Sequence, residues 1–153
     1  SSYIDEFETD WTKPSHTKTL PLTHEELWEM AKFRNPINHM SAMMRKDDVL
    51  RIGSYKHIPY IEDYELWVRA MINGIKIANV GEVLVHARTG NGMVQRRGTK
   101  KYIKSWHIMN RYMVKHGMIG NMTYVRNMIA ITGFVFMPVG LKEFVYKKIL
   151  RKG

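Results

Sequence analysis

EDYELWVRAMIN, residues Glu62 to Asn73, is the stretch on which the reading of this chain turns. Leu66, Ala70 and Met71 fall on one helical face and Gly74 stands where a left-handed C-terminal cap belongs, so a helix of three turns is expected. It begins with two acids, Glu62 and Asp63. A carboxylate in a first turn is kept ionised by the helix dipole and by backbone N–H groups without intrahelical partners, which is the state a general base requires. First-turn acids are also ordinary capping chemistry. What singles out this pair is the preceding loop, Ser54 to Ile61, which carries Tyr55, His57 and Tyr60.

Upstream, Thr23-His24-Glu25-Glu26 is a capping box with Leu22 and Leu27 placed as a hydrophobic staple. It opens a helix running to about Phe33, which Asn35 and Pro36 end. His39 to Arg45 (HMSAMMR) reads as a buried strand, and a short helix from Asp47 or Asp48 stops at Gly53. The chain opens on a short strand, Ser2-Tyr3-Ile4, followed by a polar, Pro-punctuated connection from Asp10 to Pro21. Downstream, Ile75 to Asn79 and Glu82 to Arg88 read as two short strands paired antiparallel about Gly81. Thr89 to Gly98 (TGNGMVQRRG) is a glycine-rich basic loop, and helices follow at about Lys100 to His116, Met122 to Phe136 and Leu141 to Arg151. Mixed strands and helices make the expected class α/β.

The 153 residues, 44% hydrophobic and 25% charged, suffice for one globular core. The absence of cysteine excludes a disulfide framework, a thiol nucleophile and a cysteine zinc site. Charge is divided sharply: up to His86 there are 10 basic and 13 acidic residues, net −3, and from Ala87 onward 14 basic residues face Glu143 alone, net +13. The second half therefore carries the preference for an anionic partner. Asn127 to Leu141 is uncharged over 15 residues but is interrupted by Gly133, Pro138 and Gly140, and falls short of the roughly 20 apolar residues of a spanning helix. Ser1 to Asp10 is acidic and polar, unlike a signal peptide. With no starting Met and a strand at the outset, the chain is expected to be a piece of a longer protein.

Gln95-Arg96-Arg97-Gly98 is a second candidate site, because guanidinium groups bind phosphate bidentately and glycine lets a loop close over a ligand; a solvated charge cluster is the alternative. His39 and His86 read first as satisfied structural histidines. The C-terminal helix from Lys142 to Lys152 alternates apolar groups with Lys and Arg, and suits either an anionic membrane surface or packing on the domain. No zinc-finger spacing, ribonucleoprotein motif or recognition helix points to nucleic acid.

The order of segments carries a resemblance. Phe33-Arg34-Asn35-Pro36-Ile37-Asn38-His39, Met43-Met44-Arg45-Lys46, Gly53-Ser54-Tyr55, Glu62-Asp63-Tyr64-Glu65-Leu66-Trp67-Val68-Arg69, Gly74, Ala78-Asn79, Glu82-Val83-Leu84-Val85 and Arg96-Arg97-Gly98 together resemble the C-terminal half of family 2 glycosyltransferases. The nearest look-alikes are bacterial enzymes building capsular, exopolysaccharide or lipopolysaccharide repeat units. The resemblance spans about residues 1 to 150.

It implies a GT-A-like fold of which this chain is the acceptor-side portion, residues 1–98, followed by a basic helical extension, 99–153, suited to a membrane surface. The nucleotide-binding half would precede Ser1 and hold the Asp-x-Asp motif that binds a divalent metal, Mg or Mn, with no metal ligands in the chain itself. By resemblance Asp63 is the catalytic base of an inverting transfer and Glu62 shapes the acceptor site. Arg96, Arg97 and Gln95 would lie near the donor diphosphate, and His39, Tyr64 and Trp67 would line the acceptor pocket. The implied partners are a nucleotide-sugar donor, a UDP-sugar by expectation, and a saccharide or lipid-linked acceptor, with an anionic membrane surface and no nucleic acid. The implied location is the cytoplasmic face of the cell membrane, held peripherally. Gln95 is followed by Arg96-Arg97-Gly98-Thr99 without the tryptophan of processive synthases, which favours single transfer. The competing reading is a non-catalytic basic module for membrane or nucleic acid.

Overall fold

The computed structural model describes residues 1–89, 99–138, 140 and 141. Its elements in order are β1 (Ser2–Phe7), β2 (His16–Lys18), α1 (His24–Ala31), a 3-10 turn (His39–Ser41), α2 (Lys46–Arg51), α3 (Glu62–Ile72), β3 (Val80–Arg88), α4 (Lys100–Lys115) and α5 (Asn121–Phe136). The small sheet is mixed, in the order β2-β1-β3, with β2 antiparallel and β3 parallel to the central β1.

Helix α1 starts at the capping box: Thr23 Oγ1 accepts from the Glu26 N–H, and the Glu26 carboxylate accepts from the Thr23 N–H. Lys32 closes it, slightly before Phe33. Helix α2 ends at Gly53 and α3 at Gly74, whose φ values of +88° and +76° are the left-handed conformation that glycine adopts without a Cβ penalty. Helix α3 is buried almost all round, from Tyr64 through Met71, rather than along one stripe. A single core gathers Leu27 and Ala31 of α1, Tyr64, Trp67 and Val68 of α3, Trp106, Met109 and Met113 of α4 and Val135 of α5. Buried polar groups stitch the later helices to the earlier ones. The Asn127 amide donates to the Lys32 carbonyl and to Asn110 Oδ1, both at 2.8 Å, and Asn110 donates to the Trp106 carbonyl.

Two expectations fail. His39 to Arg45 is no buried strand: after the 3-10 turn it runs extended at the surface, with Met40 59% and Met43 95% exposed. A short apolar run has no period long enough to distinguish a strand, and here the Asn38 and His39 carbonyls accept from the Ser41 and Ala42 N–H groups instead of a ladder. Nor do residues 75 to 88 form an antiparallel hairpin. Only Val80–Arg88 is a strand, and it pairs parallel to β1 with register irregularities beside Tyr3. The N–H groups of Ile77 and Asn79 are spent on His24 Nδ1 and the Leu22 carbonyl, so that segment fastens the entry of α1 and has no ladder to offer. Gly81, read as a turn, lies inside β3, where an added Cβ would meet the Leu22 side chain at 3.4 Å. The connection from Asp10 to Pro21 contains β2. The expected C-terminal helix after Leu141 lies outside the described residues.

Candidate active site

The first turn of α3 is where the sequence-predicted carboxylates stand. Glu62 is exposed and Asp63 half-buried. Asp63 Oδ2 accepts from the Asn35 side-chain amide at 2.8 Å, and Oδ1 accepts from the Tyr64 backbone N–H at 2.8 Å. Asn35 is itself fixed, because its Oδ1 accepts from the Ile37 N–H across the Asn35-Pro36 turn. Each Asp63 oxygen has a second lone pair beyond these contacts, so the carboxylate can take a proton without leaving its anchors.

Aromatic rings stand around it. Tyr55 is near enough that its hydroxyl is raised above the ordinary tyrosine value, first by partial burial and second by the Asp63 charge. His39 meets the Tyr55 ring edge-on at 6.1 Å and the Trp67 ring at 6.0 Å. Leu66, Trp67 and Ala70 line a groove of about 560 Å³ between α2, α3 and residues 74–78. Asp63 starts the helical stripe on which these residues lie, at positions i, i+3, i+4 and i+7. The buried Trp67 Nε1–H has no hydrogen-bond partner. With Trp67 4% exposed and part of the core, the geometry brings only Tyr55 and, through it, His39 towards Asp63. It does not bring Tyr64 with them: that ring is 2% exposed, packs on Trp106, and its hydroxyl donates to the Ala31 carbonyl at 2.7 Å. Burial pushes the Tyr64 hydroxyl well above its ordinary value. Gln95, Arg96 and Arg97 lie outside the described residues.

Two supports escaped the sequence reading. Asn35 is one. The other is the buried pair of Glu65 and Arg69, each 3% exposed, in which Arg69 Nε and Nη2 donate to the carboxylate at 2.8 and 2.9 Å. The remaining donors of Arg69 reach the Ile52 and Ser54 carbonyls. They hold Gly53-Ser54 in place although Ser54 has φ +53°, a conformation that costs a non-glycine residue on the order of 1 kcal/mol. Tyr55 follows directly. The signal was present as Glu65 and Arg69 at i,i+4 in the favoured order, but exposed pairs of that spacing are far commoner than buried ones.

Among the described residues no three His, Asp or Glu side chains converge as metal ligands, and no helix is long and apolar enough to cross a membrane. No protein-family profile and no solved structure matches the chain. Curated proteins do. The amylovoran biosynthesis glycosyltransferase AmsE of Erwinia amylovora is 38% identical over 136 residues, 89% of this chain and 51% of that protein. The UDP-Gal:alpha-D-GlcNAc-diphosphoundecaprenol beta-1,3-galactosyltransferase of Escherichia coli is 28% identical over 152 residues, 99% of this chain and 55% of that protein. An uncharacterised glycosyltransferase of Haemophilus influenzae is 30% identical over 136 residues, 88% of this chain and 50% of that protein. The chain thus spans about half the length of the curated relatives it matches, and each of them is a glycosyltransferase.

Proposed function

We propose that this protein is an inverting glycosyltransferase of family 2 with a GT-A fold, acting in bacterial surface polysaccharide synthesis, and that Asp63 is its base. The observation that carries the reading is a carboxylate at the head of α3, anchored by Asn35 and close to Tyr55, against which His39 packs. In the proposed step an acceptor hydroxyl lies against Asp63 and its oxygen attacks the anomeric carbon while the carboxylate takes the proton. The bond from that carbon to the diphosphate breaks, and the nucleoside diphosphate leaves from the opposite face. Base catalysis of this kind contributes about 10²- to 10⁴-fold. The Tyr55 hydroxyl, protonated near neutral pH as any tyrosine is, can donate to an acceptor oxygen. The exposed His39 offers its ring to the sugar, the buried Trp67 packs against it from the core side, and Glu62 stands at the rim.

The donor would be a nucleotide sugar, with a UDP-sugar supported by the name of the Escherichia coli relative, and that name likewise supports a diphosphate-linked lipid acceptor. Arg96, Arg97 and Gln95 are assigned to the diphosphate, where positive charge stabilises the leaving group as its charge develops. The reading assigns a divalent Mg or Mn ion to an Asp-x-Asp segment outside this sequence, and no step here runs through it. The reading assigns the protein to the cytoplasmic membrane face, where a lipid-linked acceptor would be met. The test is to supply the native-length protein with nucleotide sugars and a lipid-linked acceptor, follow nucleoside diphosphate release, and determine the anomeric configuration of the product by NMR. Inversion is expected; retention, or no transfer from any donor, overturns the reading.

A further inference from the structure

The loop that leads into α3 is bracketed by two residues in the left-handed region that glycine normally fills, Ser54 at φ +53° and Tyr60 at φ +72°. Such backbone is costly for a residue with a side chain and persists only where its surroundings over-determine it, which is why it gathers at functional sites. Here the surroundings come from two helices. At the entry, the Ser54 N–H donates to the Val49 carbonyl at 2.9 Å, and the Ser54 carbonyl accepts from Arg69 Nη2 of α3 at 2.6 Å. At the exit, the Tyr60 ring meets Tyr102 of α4 edge-on at 6.4 Å. Between them Ile58, 8% exposed, enters the core. Lys56 turns back on the molecule: its Nζ is 3.8 Å from the buried Glu65 Oε1 and 5.8 Å from the centre of the Tyr112 ring of α4. Tyr55 therefore stands between two residues tied to the same buried pair, Ser54 to Arg69 and Lys56 to Glu65, while its own ring stays 44% exposed.

We infer that Lys56 and Arg69 are positioning residues that act through Tyr55: by fixing the chain on either side of it, they hold its hydroxyl ready to orient the acceptor at Asp63, so that the loop is set before the acceptor arrives. A loop that closed over its ligand would gain its contacts on binding and would have no reason to carry two left-handed residues with side chains in the free protein. Ordering the loop in advance removes that cost from acceptor binding and keeps the reacting groups in register. The consequence for transfer rests on the reading of Asp63 given above. The holding of Tyr55 is a property of the unliganded protein, and it is measurable without turnover.

The experiment takes Lys56→Gln and Arg69→Lys in the native-length protein, each alone and combined with Tyr55→Phe. Lys56→Gln gives up the Glu65 contact at an exposed position with little packing to lose. Arg69→Lys keeps a cation beside Glu65 but lacks the fork that reaches two carbonyls as well. Tyr55→Phe should lower kcat/KM for the acceptor about tenfold, Arg69→Lys about as much and Lys56→Gln about threefold, within the worth of one hydrogen bond, with donor KM constant. Neither should lower it further in the Tyr55→Phe background, because both act through that hydroxyl. Ultraviolet titration, read as the difference between each variant and its Tyr55→Phe counterpart, should show the Tyr55 midpoint lowered in both, since a freed ring leaves its partial burial and the Asp63 charge. Lys32→Gln, which breaks an exposed ion pair with Glu29 on α1, should move neither quantity. Full additional losses in the Tyr55→Phe background, or a Tyr55 midpoint that neither variant moves, would overturn the inference and leave both residues as supports of the fold at large. If Arg69→Lys fails to fold, Lys56→Gln decides by the same two readouts. An unmoved midpoint with transfer intact defeats this inference alone, and a lowered midpoint in a protein that transfers no sugar upholds the hold on Tyr55 and defeats the chemistry alone.

Discussion

The first turn of α3 and the outer faces of α4 and α5 handle polar groups in opposite ways. Around α3 the polar atoms are tied: Asp63 to Asn35, Glu65 to Arg69, and Arg69 onward to the Ile52 and Ser54 carbonyls. On α4 Lys100, Lys104, Arg111 and Lys115 are exposed with no acidic partner among the described residues, and on α5 Met122, Val125, Ile129 and Phe136 are exposed. Chemistry needs a carboxylate held within a few tenths of an ångström of its position, so every neighbour is fixed in turn. The outer helical faces carry no such ties, and a substitution there removes little packing. Stability and activity should therefore respond strongly to changes near α3 and weakly to changes on the outer helical faces.

The largest expected effect on stability is at the buried pair. Arg69→Met leaves the buried Glu65 carboxylate with only Lys56, 3.8 Å away and half exposed, and strips two carbonyls of a donor, costing about 3 kcal/mol. That lowers Tm by on the order of 10 °C in a calorimetric scan. Glu65→Leu/Arg69→Met should recover much of the loss, since removing both charges avoids the orphaned ion. Next, Asn35→Ala frees the Asp63 carboxylate to rotate, and kcat should fall about thirtyfold, within the range that a misplaced catalytic group costs. The donor KM should stay constant, which separates a positioning role from a folding defect. Thr23→Ala removes the α1 cap and should cost about 1 kcal/mol by denaturant titration. Smallest of all, Lys104→Glu on α4 should change stability by under about 0.5 kcal/mol. If Lys104→Glu destabilised as much as Arg69→Met, the contrast between the two regions would fail.

A pH titration sharpens the same contrast. Tyr55 is raised first by burial and second by the Asp63 charge, so Asp63→Asn should bring its value down toward 10.0 without reaching it. The ultraviolet difference between Asp63→Asn and Asp63→Asn/Tyr55→Phe reads that midpoint directly. No change from the unsubstituted protein would mean that the two side chains do not interact.

What the sequence disclosed divides along physical lines. Caps and stops were legible because they are local: Thr23 and Glu26 act on adjacent backbone, and Gly53 and Gly74 answer a backbone need that only nearby residues set. Asp63 was singled out by the family resemblance more than by its place at the head of a helix, where acids are ordinary caps. Asn35 was not, because its partner is 28 positions away and nothing local marks the hydrogen bond. The parallel pairing of β1 with β3 was hidden for the same reason: an apolar run bounded by glycine reads as a hairpin until the N–H groups before it are seen engaged elsewhere. Tyr64 was placed in the acceptor pocket by its motif neighbours, whereas the burial of α3 from Tyr64 through Met71 turns that ring into the core.

The most direct test of the account is transfer by Asp63→Asn in the native-length protein, at saturating donor and acceptor, with donor binding measured alongside by calorimetry. The account predicts loss of turnover by at least about 10³-fold, toward the upper end of what base catalysis supplies, with donor affinity and Tm unchanged. Turnover within a few fold of the unsubstituted protein would contradict it, and the base would have to be sought elsewhere.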